Sequence, residues 1–525
     1  MKANGVFLSD VAREYPDYLR DESRRQGRAE TISFPRDEDE LRDHLRRAWR
    51  AGARVTVQGA RTGITAGAVP DGGHVLNLSR MNRCLGLRHD ERTGDFLLRV
   101  QPGVRLTELD EALRRKAFDT AGWSPQDQAA LRDFQRQGPF FFPPDPTERT
   151  ASIGGMTACN ASGARSFRYG PTRCHVQGLR VCLADGDALS LTRGGVRAQG
   201  RQFAVETDGG RRIAGTLPAY RMPSVKNAAG YYAADDMELL DVFIGSEGTL
   251  GVFAAVDLRL LPAPAAVWGV MTFLKDEAAA LDFVEALRRS DPRPAALEFF
   301  DRGALNLLRR CRATNPAFQP LPALPAQDGP AVYAEYVGAG EAEVEAAVER
   351  LSQALAALGG DPDAAWLAAD AAELTRLKDV RHAVPEAVNL VIDERRRAEP
   401  ALTKLGTDLA VPDAHLREML ARYHDDLNRA GLEHVIFGHI GDNHLHVNIL
   451  PRNLEEYGRG RALYLQWAQR AAALGGSVAA EHGIGKLKTE LLRVMYGEEG
   501  LAQMRTVKRL FDPEWRLNPG NIFPA

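Results

Sequence analysis

The chain has 525 residues, 67 basic and 70 acidic side chains, and a net charge of −3 with neutral histidines. A length of this order points to about two to four domains, and the balanced charge argues against nucleic acid or an acidic membrane surface as main partner. No run approaches the roughly 18 apolar residues that a transmembrane helix needs. The N-terminus has no apolar signal core. The five cysteines are scattered, odd in number and without a CxxC, so neither a disulfide framework nor an iron–sulfur cluster is indicated. The expected location is cytoplasmic or peripheral to the inner membrane.

Residues 31–58 give a βαβ signal. A short strand leads to a helix with acid in its first turn and Arg46, Arg47 and Arg50 in its last, closed by Gly52. A strand at 54–57 then runs into residues 58–67, where glycine recurs every four residues. Such a loop can turn its N–H groups toward an anion, although GxGxxG is absent and an ordinary surface loop reads equally well. Residues 74–78 and 96–100 read as strands, and 107–117 as a helix. Residues 121–137 read as polar and irregular or helical, with no function assigned, and 139–147, dense in proline and phenylalanine, read as a packed extended loop.

Small residues dominate 150–163, allowing either close approach to a ligand or tight helix packing. A strand at 178–183 ends in a turn at 184–187, a strand is expected after Asn227, and glycines crowd 245–251. The texture changes near 265. Beyond it, 331–337 and 402–410 read as strands of a separate sheet, 315–330 as an exposed loop and 341–358 as a helix; Arg395, Arg396 and Arg397 read as a solvated loop.

The richest stretch is 437–450. After a Gly441-Asp442-Asn443 turn, period-two alternation puts His444, His446 and Asn448 on one face and Leu445, Val447 and Ile449 on the other. A hairpin-like reversal would bring His439 back beside His446. Two converging imidazoles begin many metal sites, although paired histidines also occur on exposed strands. Glu481 could supply a third ligand and leave an open position, with its neighbour His482 free as a general base; the bland alternative is a helix start with incidental charge.

The loop at 58–67, IGG…CNASG, ADG, GSEGTLG, GHIGDNHLH, AEHGIGK and the final Asn518-Pro519-Gly520 follow one another in fixed order. This set resembles the FAD-linked dehydrogenases of the vanillyl-alcohol-oxidase superfamily, in the branch of D-lactate, glycolate and D-2-hydroxyglutarate dehydrogenases, over nearly the whole chain from about residue 30. The resemblance implies an α+β protein. A two-subdomain PCMH-type FAD-binding domain would occupy 1–265, an α/β cap with an antiparallel sheet 266–465, and a helical C-terminal segment 466–525, packed back on the FAD domain. It implies that Gly59, Arg61, Thr62, Gly63, Ile153, Gly154, Gly155, Asn160, Ser162, Gly163 and Gly248 touch a noncovalent FAD. His439, His446 and Glu481 would hold a divalent metal, zinc by preference.

By the same resemblance, Arg381 and Lys404 grip the carboxylate of a small 2-hydroxy acid, as a guanidinium fork and an ammonium suit. Asn448 orients that substrate and His482 takes its hydroxyl proton. Two departures matter. Pro385 stands where hydroxyglutarate enzymes carry a hydroxyl residue, and His444 replaces the usual asparagine between the metal histidines, opening a different or additional ligand. Both favour oxidation of a D-lactate-like substrate to its 2-oxo acid over hydroxyglutarate. Electrons would leave through a separate acceptor: an electron-transfer flavoprotein, a quinone or a cytochrome. A peroxide-forming oxidase, a non-redox enzyme similar to alkyl-dihydroxyacetone-phosphate synthase, a flavin-binding subunit without chemistry of its own, and a homodimer are left open.

Overall fold

A computed structural model describes residues 8–91, 93–326 and 328–524. Three larger β-sheets, a two-stranded ribbon of Gln202–Glu206 with Arg212–Thr216, and the helices packed on them make an α+β protein. The first sheet carries the βαβ unit. Thr31–Ser33, His74–Asn77 and Val55–Gln58 run parallel, with Leu8–Ser9 antiparallel at the edge. The Asp37 carboxylate caps the helix Glu38–Arg50 by accepting from the Glu40 N–H at 2.9 Å. Leu41, Leu45 and Ala48, spaced to share one helix face, bury against Val55, Leu76, Cys182 and Val252. That packing joins the first sheet to the second.

The second sheet is antiparallel, in the order Cys84–Asp90, Asp95–Val100, Val252–Pro262, Val176–Cys182, Ala188–Thr192. Residues 121–137, unread in sequence, form the helix Pro125–Arg136 and have a packing role. Phe134 meets Phe96 and Phe140 at ring centroids of 5.2 and 5.1 Å, under the proline-dense loop. The strand expected after Asn227 is absent; the buried segment from Ala228 is irregular and is held instead by the Ala228 N–H donating to the Ala479 carbonyl.

The chain changes sheet between Pro262 and Ala266. The third sheet is antiparallel: Trp366–Ala368, Ala266–Phe273, Ala331–Gly338, Ala296–Phe300, His434–His439, His444–Ile449, and then both Leu405–Gly406 and Leu409–Ala410 along the last strand. The strand expected at 402–410 is thus broken at Thr407 and Asp408. Val447 N–H donates to the Thr407 hydroxyl at 3.0 Å rather than to its carbonyl, which is freed for the site below. Arg395 is not in a solvated loop. It ends the helix Ala371–Arg395 and pairs with Glu433 and the Leu450 carbonyl.

Residue 466, the expected start of the last segment, falls inside the helix Leu454–Ala473. The tail beyond reaches the first sheet: the Asn518 amide accepts from Val57 N–H at 2.7 Å and donates to the Glu247 carbonyl at 2.6 Å. No helix among the described residues is long and apolar enough to cross a membrane.

One fold-level consequence is testable. His74 is buried, with Ser33 Oγ 2.7 Å from Nε2 and Thr31 Oγ1 2.8 Å from Nδ1. Burial, ahead of nearby His44, pushes its pKa down to about 3. An unfolded histidine protonates near pH 6.5, so between about 6.5 and 3 the unfolded chain binds the extra proton and stability falls with pH, by up to about 1.4 kcal/mol per unit. Thermal melts from pH 7 to 4.5 should show His74→Gln losing stability on acidification less steeply than the wild type.

Candidate active site

One cleft of about 1340 Å³ lies between the first two sheets and the third. Its floor includes Gly59, Arg61, Thr62, Gly63, Gly154, Gly155, Ser162 and Gly248; its opposite wall includes Arg381, Lys404, His439, His446, Asn448, Glu481 and His482. Three residues expected to touch the cofactor do not line it. Ile153 is in the core, and the Asn160 amide is spent on Arg173 N–H and the Asn227 carbonyl. Gly163 backs onto Asp145, whose carbonyl would lie 2.0 Å from an added Cβ.

The floor fits a flat, phosphorylated cofactor. An added Cβ on Gly59 would sit 2.2 Å from Ser152 Oγ, so only glycine lets this loop close on the start of the helix Ile153–Cys159. Gly248 has φ +68° beside Asn518. The Ser162 hydroxyl is buried at the cleft without a hydrogen-bond partner, an acceptor or donor left for a ligand.

The hairpin builds the wall. Ile440–Asp442 and Asn443, at φ 53°, turn the chain so that His439 stands directly opposite His444; His446, the expected neighbour, is two residues along and pairs with Phe437. The rings still converge, with centroids of His439 5.4 Å from His444 and 5.6 Å from His446. One ligand atom each of His439, His444, His446 and Glu481 lies within 4.8 Å of every other. His444 thus joins the three residues expected there.

Each neighbour of the cluster has a definite partner. His439 Nδ1 donates to Glu298 at 2.7 Å and Nε2 lies 3.1 Å from Glu481 Oε2. His446 Nδ1 donates at 3.1 Å to the Thr407 carbonyl freed by the broken strand. Lys226, buried behind the wall, contacts Glu481 at 2.9 Å. Asp408, fully buried, accepts from the N–H groups of Glu481 and His482, both at 3.0 Å, and from Lys488 at 2.6 Å. Its Oδ2 is 3.5 Å from His482 Nδ1. His482 stacks on His446, centroids 5.3 Å apart.

These contacts set the charges. Burial opposes a charge on His439, yet Glu298 beside it raises its pKa to about 9. Burial would also raise Glu481, but Lys226 and His439 hold it well below the usual carboxylate range. Burial pushes His446 and His482 down, so both are neutral bases at pH 7. Lys404 is lowered by burial and then by Arg24, and has no ion-pair partner among the described residues. Arg381 Nε lies 3.0 Å from Glu298 Oε2.

Sequence reading missed Glu298, Asp408 and Lys226. Glu298 had a signal, a lone carboxylate inside the apolar strand Ala296–Phe300, and Asp408 likewise interrupts an apolar strand. Lys226 had none, because its partner is 255 residues away.

The floor and wall together suit a flat, phosphorylated cofactor facing a polar, histidine-rich wall, and the family matches identify the class as FAD-linked. Residues 263–522 match the family of FAD linked oxidases, C-terminal domain, and 29–131 and 127–192 match the FAD binding domain family. D-2-hydroxyglutarate dehydrogenase of Xanthomonas citri is 30% identical over 505 residues, covering 94% of this chain and 89% of the relative. Glycolate oxidase subunit GlcD of Bacillus subtilis is 26% identical over 503 residues, 95% and 90% of the two chains. The chain belongs to the FAD-linked oxidase family, in the branch of D-lactate, glycolate and D-2-hydroxyglutarate dehydrogenases. Among solved structures, 4-ethylphenol oxidase from Gulosibacter chungangensis shares the fold, with a TM-score of 0.64 at 16% identity over 99% of this chain and 94% of that one.

Proposed function

We propose that the protein oxidises a small D-2-hydroxy acid of the lactate kind to its 2-oxo acid and passes the electrons to a separate acceptor. The observation that carries this reading is the convergence of His439, His446 and Glu481 in a cleft shared with a cationic wall and a glycine-lined floor. Arg381 and Lys404 hold the substrate carboxylate, with the Arg381 Nε already anchored on Glu298. Asn448 orients the substrate. His482 takes the hydroxyl proton, its backbone N–H fixed by Asp408. FAD held noncovalently on the floor by Gly59, Arg61, Thr62, Gly154 and Gly155 would supply, at N5, the acceptor for the Cα hydride. His439, His446 and Glu481 would hold a divalent ion, zinc by preference, which would supply Lewis acidity to lower the pKa of the hydroxyl. The orphaned imidazole nitrogen of His444 and the mixed nitrogen–oxygen donor set fit such an ion. Pro385 on the cleft offers no hydrogen bond to a second carboxylate, which favours lactate over hydroxyglutarate.

We further assign residues 1–265 to FAD, 266–465 to the substrate and 466–525 to a C-terminal segment packed back on the FAD domain, and the acceptor to an electron-transfer flavoprotein, quinone or cytochrome met in the cytoplasm or at the inner membrane face.

Anaerobic mixing tests the reading. D-lactate should bleach the flavin and L-lactate should not. A flavin that stays yellow with every D-2-hydroxy acid would sink it and leave the non-redox alternative. Dialysis against a chelator should slow bleaching, and zinc should restore it; unchanged bleaching of metal-free protein would remove the metal from the mechanism.

A further inference from the structure

His444 is the one histidine of the cluster that does not line the cleft. It is fully buried, so it cannot reach a substrate. Its Nε2 lies 3.0 Å from Asp408 Oδ1 and its Nδ1 faces Glu481 Oε2 at 3.6 Å, too far for a hydrogen bond. Nδ1 has no hydrogen-bond partner among the described residues. The flanking carboxylates already own their cations, Lys226 on Glu481 and Lys488 on Asp408. A neutral imidazole with its Nε2–H turned toward Asp408 Oδ1 therefore aims a bare Nδ1 lone pair at a carboxylate oxygen. That arrangement is costly in a buried place unless a cation stands between them.

The other two imidazoles follow the same plan. Each has one nitrogen turned outward to an oxygen, His439 Nδ1 to Glu298 and His446 Nδ1 to the Thr407 carbonyl. Outward bonds of this kind fix the tautomer and aim the remaining nitrogen at a metal. Asp408 Oδ1 stands to His444 Nε2 as Glu298 stands to His439, so all three rings are oriented toward one point beside Glu481.

We propose that His444 Nδ1 is a fourth protein ligand, giving a three-imidazole, one-carboxylate site approached by His444 from behind the cleft wall. The proposal rests on the metal reading above and deepens it. A donor set with three nitrogens selects a borderline transition ion such as zinc, cobalt or nickel over magnesium or calcium. It leaves substrate only the positions on the cleft side.

X-ray absorption of the zinc-loaded holoenzyme counts imidazoles directly, in unaltered protein. Three are expected; two with zinc held would overturn the fourth ligand and leave the proposed reaction standing. Failure to retain any zinc would overturn the fourth ligand and the metal reading together, while flavin bleaching still tests the reaction separately. In the cobalt-loaded enzyme, His444→Asn should change the visible ligand-field bands and weaken cobalt affinity by at least about 10- to 100-fold, the loss typical of disturbing even an outer partner of a metal ligand. Unchanged bands and affinity in a folded His444→Asn would equally overturn it.

Discussion

Replacing His482 with alanine should lower kcat by about 100- to 10,000-fold, the usual contribution of a positioned general base, while FAD stays bound. Two features separate this loss from a collapse of the site. The loop that carries His482 is held through its backbone. Asp408 accepts from the N–H of Glu481 and His482, and Glu247 accepts from those of Ile484 at 2.6 Å and Gly485 at 2.7 Å. None of these bonds involves the imidazole. Asp408 also keeps Lys488, so no buried charge is stranded. The ring itself is about a quarter exposed, and its main neighbour is the stacked ring of His446. Flavin absorbance of the purified variant should match the wild type, and the anaerobic rate of flavin reduction should carry the whole defect. Reduction at the wild-type rate would move the base elsewhere on the wall.

The site was legible where chemistry is local in the chain. The alternation around His444 and His446, the reversal that returns His439, and the adjacent Glu481 and His482 all follow from spacing, and the cleft collects all of these side chains but His444. The pairing within the hairpin was not legible, because a 3₁₀ turn at Ile440–Asp442 followed by a left-handed Asn443 sets the register and put His439 opposite His444. Much of the fold was legible for the same reason: the capped helix Glu38–Arg50 between its two parallel strands is written in a 28-residue stretch of periodicity. Partners from distant segments were hidden. Lys226 meets Glu481 across 255 positions and Glu298 meets His439 across 141. Residues 402–410 looked like a plain strand, yet Thr407 puts its hydroxyl in the ladder in place of its carbonyl. Asp408 turns to cap the His482 loop. Such breaks serve the site, and local propensity does not encode them.

Glu298 should prove as sensitive as any residue that touches substrate. It lies in the middle of the buried strand Ala296–Phe300, on the face opposite Leu297 and Phe299, and so points at the cleft from beneath the histidines. One oxygen accepts from His439 Nδ1 at 2.7 Å and the other lies 3.0 Å from Arg381 Nε. A single carboxylate therefore orients the imidazole assigned to the metal and the guanidinium assigned to the substrate carboxylate. Burial opposes its charge, but Arg381 and then His439 hold its pKa below the usual range. Glu298→Ala strands a buried guanidinium and should cost about 3–5 kcal/mol of stability, the penalty of breaking a buried pair by removing one partner. Glu298→Gln keeps the volume and one acceptor but loses the charge. It should fold, and it should lower metal affinity and kcat/KM together, each by about 10- to 100-fold, as loss of an outer partner does at other metal sites. Urea unfolding separates the first effect; metal titration and steady-state kinetics on Glu298→Gln read the second. If Glu298→Gln bound metal and turned over like the wild type, His439 and Arg381 would be held by their packing alone, and the carboxylate between them would be only a neutralising charge.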